Sequence, residues 1–235
     1  YWINAGMQSS ATLNVIADGH VAILTGSPDI GGSRASMALM ASEVLGIPFE
    51  NIHPQVAATD AVGHTDLTGG SRTTLATGQA VIQAAEQCVA ELCRRAAAEW
   101  EVGPGLVAWS QGAAHYGDQS LTFEELASRA GAMGGPLTFS SSLASTSTAP
   151  GFGVHICDAE VDKETGRTTI TRYTAIQDAG KAIHPDYVEG QMQGGAVQGI
   201  DWALNEEYLY NDEGALENPG FLDYRIPVAS DLPFI

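Results

Sequence analysis

Apolar and polar positions alternate over residues 11–17 and again over 20–25, with the turn pair Asp18-Gly19 between them, so the chain is expected to begin its structure with a hairpin. A stretch rich in turn residues, 26–33, gives way to apolar positions at Met37, Met40, Ala41 and Val44. That spacing predicts a helix from Ser33, ended by Gly46 and Pro48 in the order helices favour. Residues 51–58 read as a short strand and 60–71 as a polar, glycine-bearing loop. The longest periodic run, Val81, Ala84, Ala85, Cys88, Val89, Leu92 and Ala96, predicts a helix over 73–100.

Gly103, Pro104 and Gly105 end that element, 106–111 suggests a strand, and Thr122-Phe123-Glu124-Glu125 is the capping-box start of a short helix through Ala130. Residues 131–153 carry Pro/Gly clusters and a Ser/Thr run over 140–148; they read as a linker between subdomains or an ordered polar loop. Beyond them, 154–161 and 168–176 read as paired strands about a turn at 162–166. A helix over 185–204, a small hairpin around 211–214 and an extended tail over 221–233 follow. Helices and strands mix without a strict βαβ rhythm, so the expected fold class is α+β, with one subdomain over 1–135 and a second over 150–235.

Charge narrows the function classes. With 28 acidic and 10 basic residues the formal net charge is −18, which repels nucleic acid and anionic membrane surfaces before specific contacts form. No apolar run approaches the roughly 18 residues of a membrane span, and no signal peptide is evident. Three cysteines make no disulfide framework, which points to a reducing compartment and a cytoplasmic location. The chain starts at Tyr1 without a Met and stops at Ile235, just after Asp231-Leu232-Pro233; an interior piece of a larger polypeptide is expected.

The common catalytic signatures fail: there is no Walker loop, Gly-x-Ser-x-Gly elbow, His-Glu-x-x-His or paired Cys-x-x-Cys. The six histidines are scattered, so no metal ligand is expected from the protein. Three loop-to-helix junctions remain. The first is Gly31-Gly32-Ser33, for which ordinary capping by Ser33 is the simpler reading. The second runs from Thr68 through Gly69, Gly70, Ser71, Arg72 and Thr73 to Thr74. Its glycines let a ligand approach the backbone, and its hydroxyls and Arg72 add donors at a helix N-terminus, a setting that suits an anion such as phosphate. The third, from Glu189 to Gly199, puts Gly190, Gly194, Gly195 and Gly199 in one helix. Each glycine costs about 0.8–1 kcal/mol relative to Ala, so either close helix packing or a ligand must require them. Gln191, Gln193 and Gln198 favour a polar ligand, and spacing excludes neither explanation.

These junctions, in this order, resemble the large, molybdenum-cofactor-binding subunit of the xanthine dehydrogenase, aldehyde oxidase and carbon monoxide dehydrogenase family. The resemblance is carried by residues 25–48, 68–81, 178–207 and 221–233, while 103–151 matches only in general character. It implies molybdopterin cytosine dinucleotide with its molybdenum held across Gly31, Gly32, Thr68, Gly70, Ser71, Arg72, Thr73 and Gln191. It implies hydroxylation of an aromatic heterocycle or aldehyde with water-derived oxygen. It also implies iron–sulfur and FAD subunits or domains, and the remaining half of the molybdenum subunit, as partners.

Two departures matter. The family has Gln where this chain has Gly32, so that side-chain contact is lost. The family's catalytic glutamate falls beyond Ile235, so no catalytic residue is assigned, and the isolated segment is expected to be inactive and without cofactor. The alternatives are a naturally split subunit and an acidic binding module that keeps the fold without the cofactor.

Overall fold

The computed structural model describes residues 7–146 and 150–235, and the chain divides into two units, Tyr1–Pro150 and Gly151–Ile235. The opening alternation becomes β1 (Gln8–Val15) and β2 (Val21–Thr25), an antiparallel pair in which Leu13 lies opposite Ile23. The helix expected from Ser33 is α1 (Ser33–Leu45), and β3 (Ile52–Val56) returns parallel to β2. Next come α2 (Thr73–Glu99), β4 (Ala108–Ser110), β5 (Ala113–Tyr116), β6 (Gln119–Thr122), α3 (Phe123–Ser128) and β7 (Leu137–Ala144).

One four-stranded sheet, in the order β3-β2-β1-β7, carries the first unit. Ala11, Leu13, Val21 and Ile23 alternate onto the face that the buried stripe of α2 (Ala80, Val81, Ala84, Cys88 and Leu92) and Met37, Ala41 and Leu45 of α1 cover. Cys88, Cys93 and Cys157 are all free thiols, and burial pushes the Cys88 thiol up to about 12.

Two readings of the sequence need correction. The linker reading of 131–153 fails over 137–144, because β7 pairs with β1 along its whole length, from Gln8 opposite Ala144 to Val15 opposite Leu137, while the boundary between the two units, at Pro150 and Gly151, falls inside the stretch. Its Ser/Thr composition hides a period-two pattern: Leu137 and Ser141 are buried and Phe139 and Leu143 half-buried, while Thr138, Ser140 and Ser142 are exposed. Residues 147–149 of that stretch, like 1–6, lie outside the described residues. The second omission is the β5–β6 hairpin, whose short strands turn at Gly117-Asp118 and join β4 in a three-stranded sheet.

That small sheet is fixed to α1 by backbone proximity. Gly46, the C-terminal cap of α1, has φ 71°, and Gly112, φ 70°, lies directly against it. A Cβ on Gly46 would overlap the Gly112 backbone nitrogen, and one on Gly112 would come within 2.6 Å of the Gly46 oxygen. Trp109 Nε1 donates to the Leu45 oxygen at 3.0 Å beside them. At the other end of α2, Arg95 is buried and donates to Glu91, to the Ala130 oxygen at 3.1 Å and to the Gly135 oxygen at 2.8 Å.

In the second unit, β8 (Phe152–Val161) and β9 (Thr168–Asp178) form a long antiparallel hairpin with a bulge at Asp158/Ala159. The helix expected over 185–204 is α4 (Pro185–Leu204), which packs on β9 and buries Ala196, Ile200 and Asp201. The expected hairpin near 211–214 is reduced to a single bridge, Tyr210 with Leu216, and the tail over 221–233 forms turns with one 3-10 turn at Ala229–Asp231.

Replacing Gly46 with Ala should lower stability by at least about 2 kcal/mol, because the left-handed backbone penalty adds to the overlap with Gly112; denaturant titration measures it. The Arg94 guanidinium, and then Arg95, hold the Glu91 carboxyl down at about 2 from its ordinary 4.5. That contribution is fully present above the ordinary value and is lost as pH falls toward about 2. Glu91→Gln should therefore cost about 1–2 kcal/mol at neutral pH, with the deficit closing through that window in acid-unfolding curves.

Candidate cofactor-binding site

The first two junctions lie together in the first unit. Ser27, in the loop before α1, bonds Thr77 in the first turns of α2 at 2.8 Å, and Thr77 bonds Ser9 of β1 at 3.1 Å. Gly26 lies against Val62 and Thr65 of the loop that leads to α2. Sequence reading missed this buried hydroxyl chain; the available signal was Thr77, a polar residue on the apolar stripe of α2.

Both helices open from two consecutive left-handed residues. Gly31 (φ 66°) and Gly32 (φ 76°) precede α1, and Gly70 (φ 62°) and Ser71 (φ 60°) precede Arg72, the N-cap of α2. Gly32 has no side chain and the Arg72 guanidinium no acceptor, so neither N-cap residue can cap its helix through its side chain. The two ends nevertheless differ in chemistry.

At α1 an internal anion is already in place. Asp29 Oδ1 accepts from the Arg34 backbone nitrogen at 2.9 Å, and its Oδ2 accepts from Arg34 Nε at 2.6 Å. The Arg34 backbone N–H, and then its side chain, hold the Asp29 carboxyl below the usual carboxylate range. Ser33 donates to the Pro28 oxygen at 3.3 Å and does not cap the helix. Gly31 and Gly32 thus offer backbone alone beside a carboxylate.

At α2 no carboxylate among the described residues takes that role. Thr73 is 9% exposed, and its Oγ1 is buried with no hydrogen-bond partner; Thr68 Oγ1 is buried and unpartnered too. Ser71 and Thr74 are exposed. Buried hydroxyls without acceptors or donors are costly and uncommon, so two at one helix head suggest partners supplied from outside the chain. Arg72 behaves otherwise than its place in the motif suggests. Its guanidinium is fully buried, with Nη1 donating to the Asp66 oxygen at 2.8 Å and Nη2 to the Gln8 oxygen at 2.7 Å and to Ser9 Oγ.

The third junction belongs to the second unit. Among the described residues of the second unit, a Cβ built on Gly190, Gly194, Gly195 or Gly199 meets no atom within 4 Å, so nothing in that unit packs closely on them. Gln191 is exposed on the same open side as Gly194 and Gln198. The opposite side of α4 faces β9 and lines a cleft of about 320 Å³ with Val188, Met192, Ala175, Gln177 and Phe234, which sequence reading did not find. There Gln193 donates to the Ile235 oxygen at 3.0 Å. Among the described residues no group of three or more His, Cys, Asp and Glu side chains could hold a metal ion, and no helix is long and apolar enough to cross a membrane.

The sequence matches, over residues 2–233, the family described as the molybdopterin cofactor-binding domain. The chain belongs to that family. It is 30% identical over 236 residues to the nicotine 6-hydroxylase large subunit of Paenarthrobacter nicotinovorans, a match taking in 95% of this chain and 29% of that protein. Its fold matches CO dehydrogenase from Oligotropha carboxidovorans with a TM-score of 0.87 at 26% identity, over 96% of this chain and 29% of the other. It matches quinoline 2-oxidoreductase from Pseudomonas putida 86 with a TM-score of 0.82 at 25% identity, over 97% and 30%. The α+β class expected from the sequence is borne out, and the chain spans about 30% of the length of these relatives.

Asp29 accepts from the first turn of α1, so Asp29→Ala should destabilise the chain by about 0.5–2 kcal/mol at neutral pH. A lowered carboxyl contributes above its unfolded value and stops contributing as pH falls through its folded one, so the deficit should shrink in acid. Thermal melts of the two proteins across the pH range check both points.

Proposed function

We propose that this chain is the part of a molybdenum hydroxylase that holds the phosphate-bearing end of a molybdopterin cytosine dinucleotide at the head of α2. The observation that carries the reading is the pair of buried, unpartnered hydroxyls on Thr68 and Thr73 at a helix N-terminus without a side-chain cap. They fit a pyrophosphate: each hydroxyl donates to an anionic oxygen, and the backbone of Gly69, Gly70 and Ser71 lets that oxygen come close. At the third junction the glycine side of α4 leaves room for a flat polar ring, and the Gln191 amide both donates to and accepts from it. Gly31 and Gly32 contribute backbone N–H groups alone.

When bound, the cofactor supplies the oxidation of a substrate carbon with oxygen taken from water. The substrate class is an aromatic heterocycle or an aldehyde. The names of two relatives, a nicotine hydroxylase and a quinoline oxidoreductase, support the heterocycle. Iron–sulfur and FAD subunits or domains carry the electrons away, the remaining half of the molybdenum subunit completes the pocket, and the assembly works in the cytoplasm. The Asp29 carboxylate at α1 favours one rival, an acidic module that keeps the fold without the cofactor.

Metal and pterin analysis of the complete native complex separates the two. The expected result is molybdenum and pterin dinucleotide in equal amounts, and incorporation of isotopically labelled oxygen from solvent water into a heterocyclic or aldehyde substrate. Absence of both molybdenum and pterin would establish the rival. The 235-residue chain alone is expected to turn over no substrate.

A further inference from the structure

Resting on the reading of Thr68 and Thr73 above, we propose that Arg72 is a positioning residue: its buried guanidinium fixes the 66–68 segment, and so the Thr68 hydroxyl, without itself reaching a ligand. The Thr68 hydroxyl is buried without a hydrogen-bond partner among the described residues, so its position follows from its backbone and the packing around it. That backbone is set two residues earlier. The Asp66 nitrogen donates to the Gln8 oxygen at 2.9 Å, and the Asp66 carboxylate accepts from the Gln8 nitrogen at 2.7 Å. Arg72 closes the arrangement from inside the unit, spanning the Asp66 and Gln8 oxygens with its two terminal nitrogens and reaching Ser9 Oγ with one of them.

The guanidinium suits this task through its shape. A planar fork grips a loop and the end of β1 at once, whereas an ammonium is a point donor on a flexible stem and holds one acceptor well. Arg72 is also the N-cap of α2, but through its backbone alone, which a lysine keeps, so the guanidinium acts on Thr68 and not on Thr73. Ligand contact and loop support are thereby divided between neighbours: the hydroxyls face the anion, and the cation stays 0% exposed beneath them.

The test uses the complete native complex and two readouts, the rate at which molybdenum and pterin are released and amide hydrogen exchange over residues 66–70. Thr68→Val should speed release about tenfold, as loss of one charge-assisted hydrogen bond would. Arg72→Lys should speed it about as much and raise exchange over 66–70, and the double variant should be no worse than either single one. Ser9→Ala, which removes one acceptor and leaves the charge in place, should give the same two effects at smaller size; it serves if Arg72→Lys does not accumulate. Effects of Thr68→Val and Arg72→Lys that multiply, or an Arg72→Lys or Ser9→Ala complex with unchanged exchange and release, would overturn the positioning role alone. A Thr68→Val complex that keeps its cofactor as the parent does would instead overturn the cofactor reading of the junction, and the positioning role with it.

Discussion

The first unit is organised around a cation that has no access to water. A fully buried guanidinium is tolerable only if its donors are met inside, because desolvating a charge costs several kcal/mol that hydrogen bonds must offset. Arg72 directs its two terminal nitrogens to that end, Nη1 to the Asp66 oxygen and Nη2 to the Gln8 oxygen and the Ser9 hydroxyl. The demand propagates outward: Ser9 bonds Thr77, Thr77 bonds Ser27, and through them β1, the loop before α1 and the start of α2 are set in one register. The apolar core of the sheet and its two helices supplies the bulk of the stabilisation, but it leaves the loops free to slide. The polar chain is what removes that freedom.

Two helix ends with nearly the same backbone have opposite chemical characters. Both start after paired left-handed residues, and both lack a side-chain cap from the N-cap residue. At α1 the carboxylate of Asp29 supplies the negative charge that a helix N-terminus favours. At α2 no described carboxylate takes that place, and the Thr68 and Thr73 hydroxyls are buried without a hydrogen-bond partner among the described residues. The acidity of the chain as a whole is no obstacle to the anion proposed there, since a helix N-terminus with free N–H groups attracts an anion without a basic patch.

The second unit shows the converse. Its hairpin and α4 are regular, yet α4 buries few residues, and Phe152, Val154, Ile156, Ile176 and Trp202 are exposed. The glycines of α4 carry a propensity cost of about 0.8–1 kcal/mol each that packing among the described residues of this unit does not offset. Near its C-terminal end the burial is polar: Tyr224 donates to Glu206 at 2.5 Å, and Asn218 bonds Glu207 and Leu209.

The sequence by itself determined the helices and most of the strands, because α1, α2, α4 and the β1–β2 hairpin are each encoded by a local period and a local stop signal. It also determined the family, through glycine, hydroxyl and amide positions at helix starts. It did not disclose β7, whose serines look like a linker until β1 supplies the partner that gives their alternation an inside and an outside. Nor did it separate the two helix heads. A glycine pair before a helix reads alike whether a distant carboxylate folds back onto it or not. The same holds for Arg72, written in the motif as a phosphate ligand and turned inward by acceptors on Gln8 and Ser9, some sixty residues away in the chain. Local periodicity fixes elements, whereas the partner of a polar group is decided by long-range packing, and only the tertiary structure contains it.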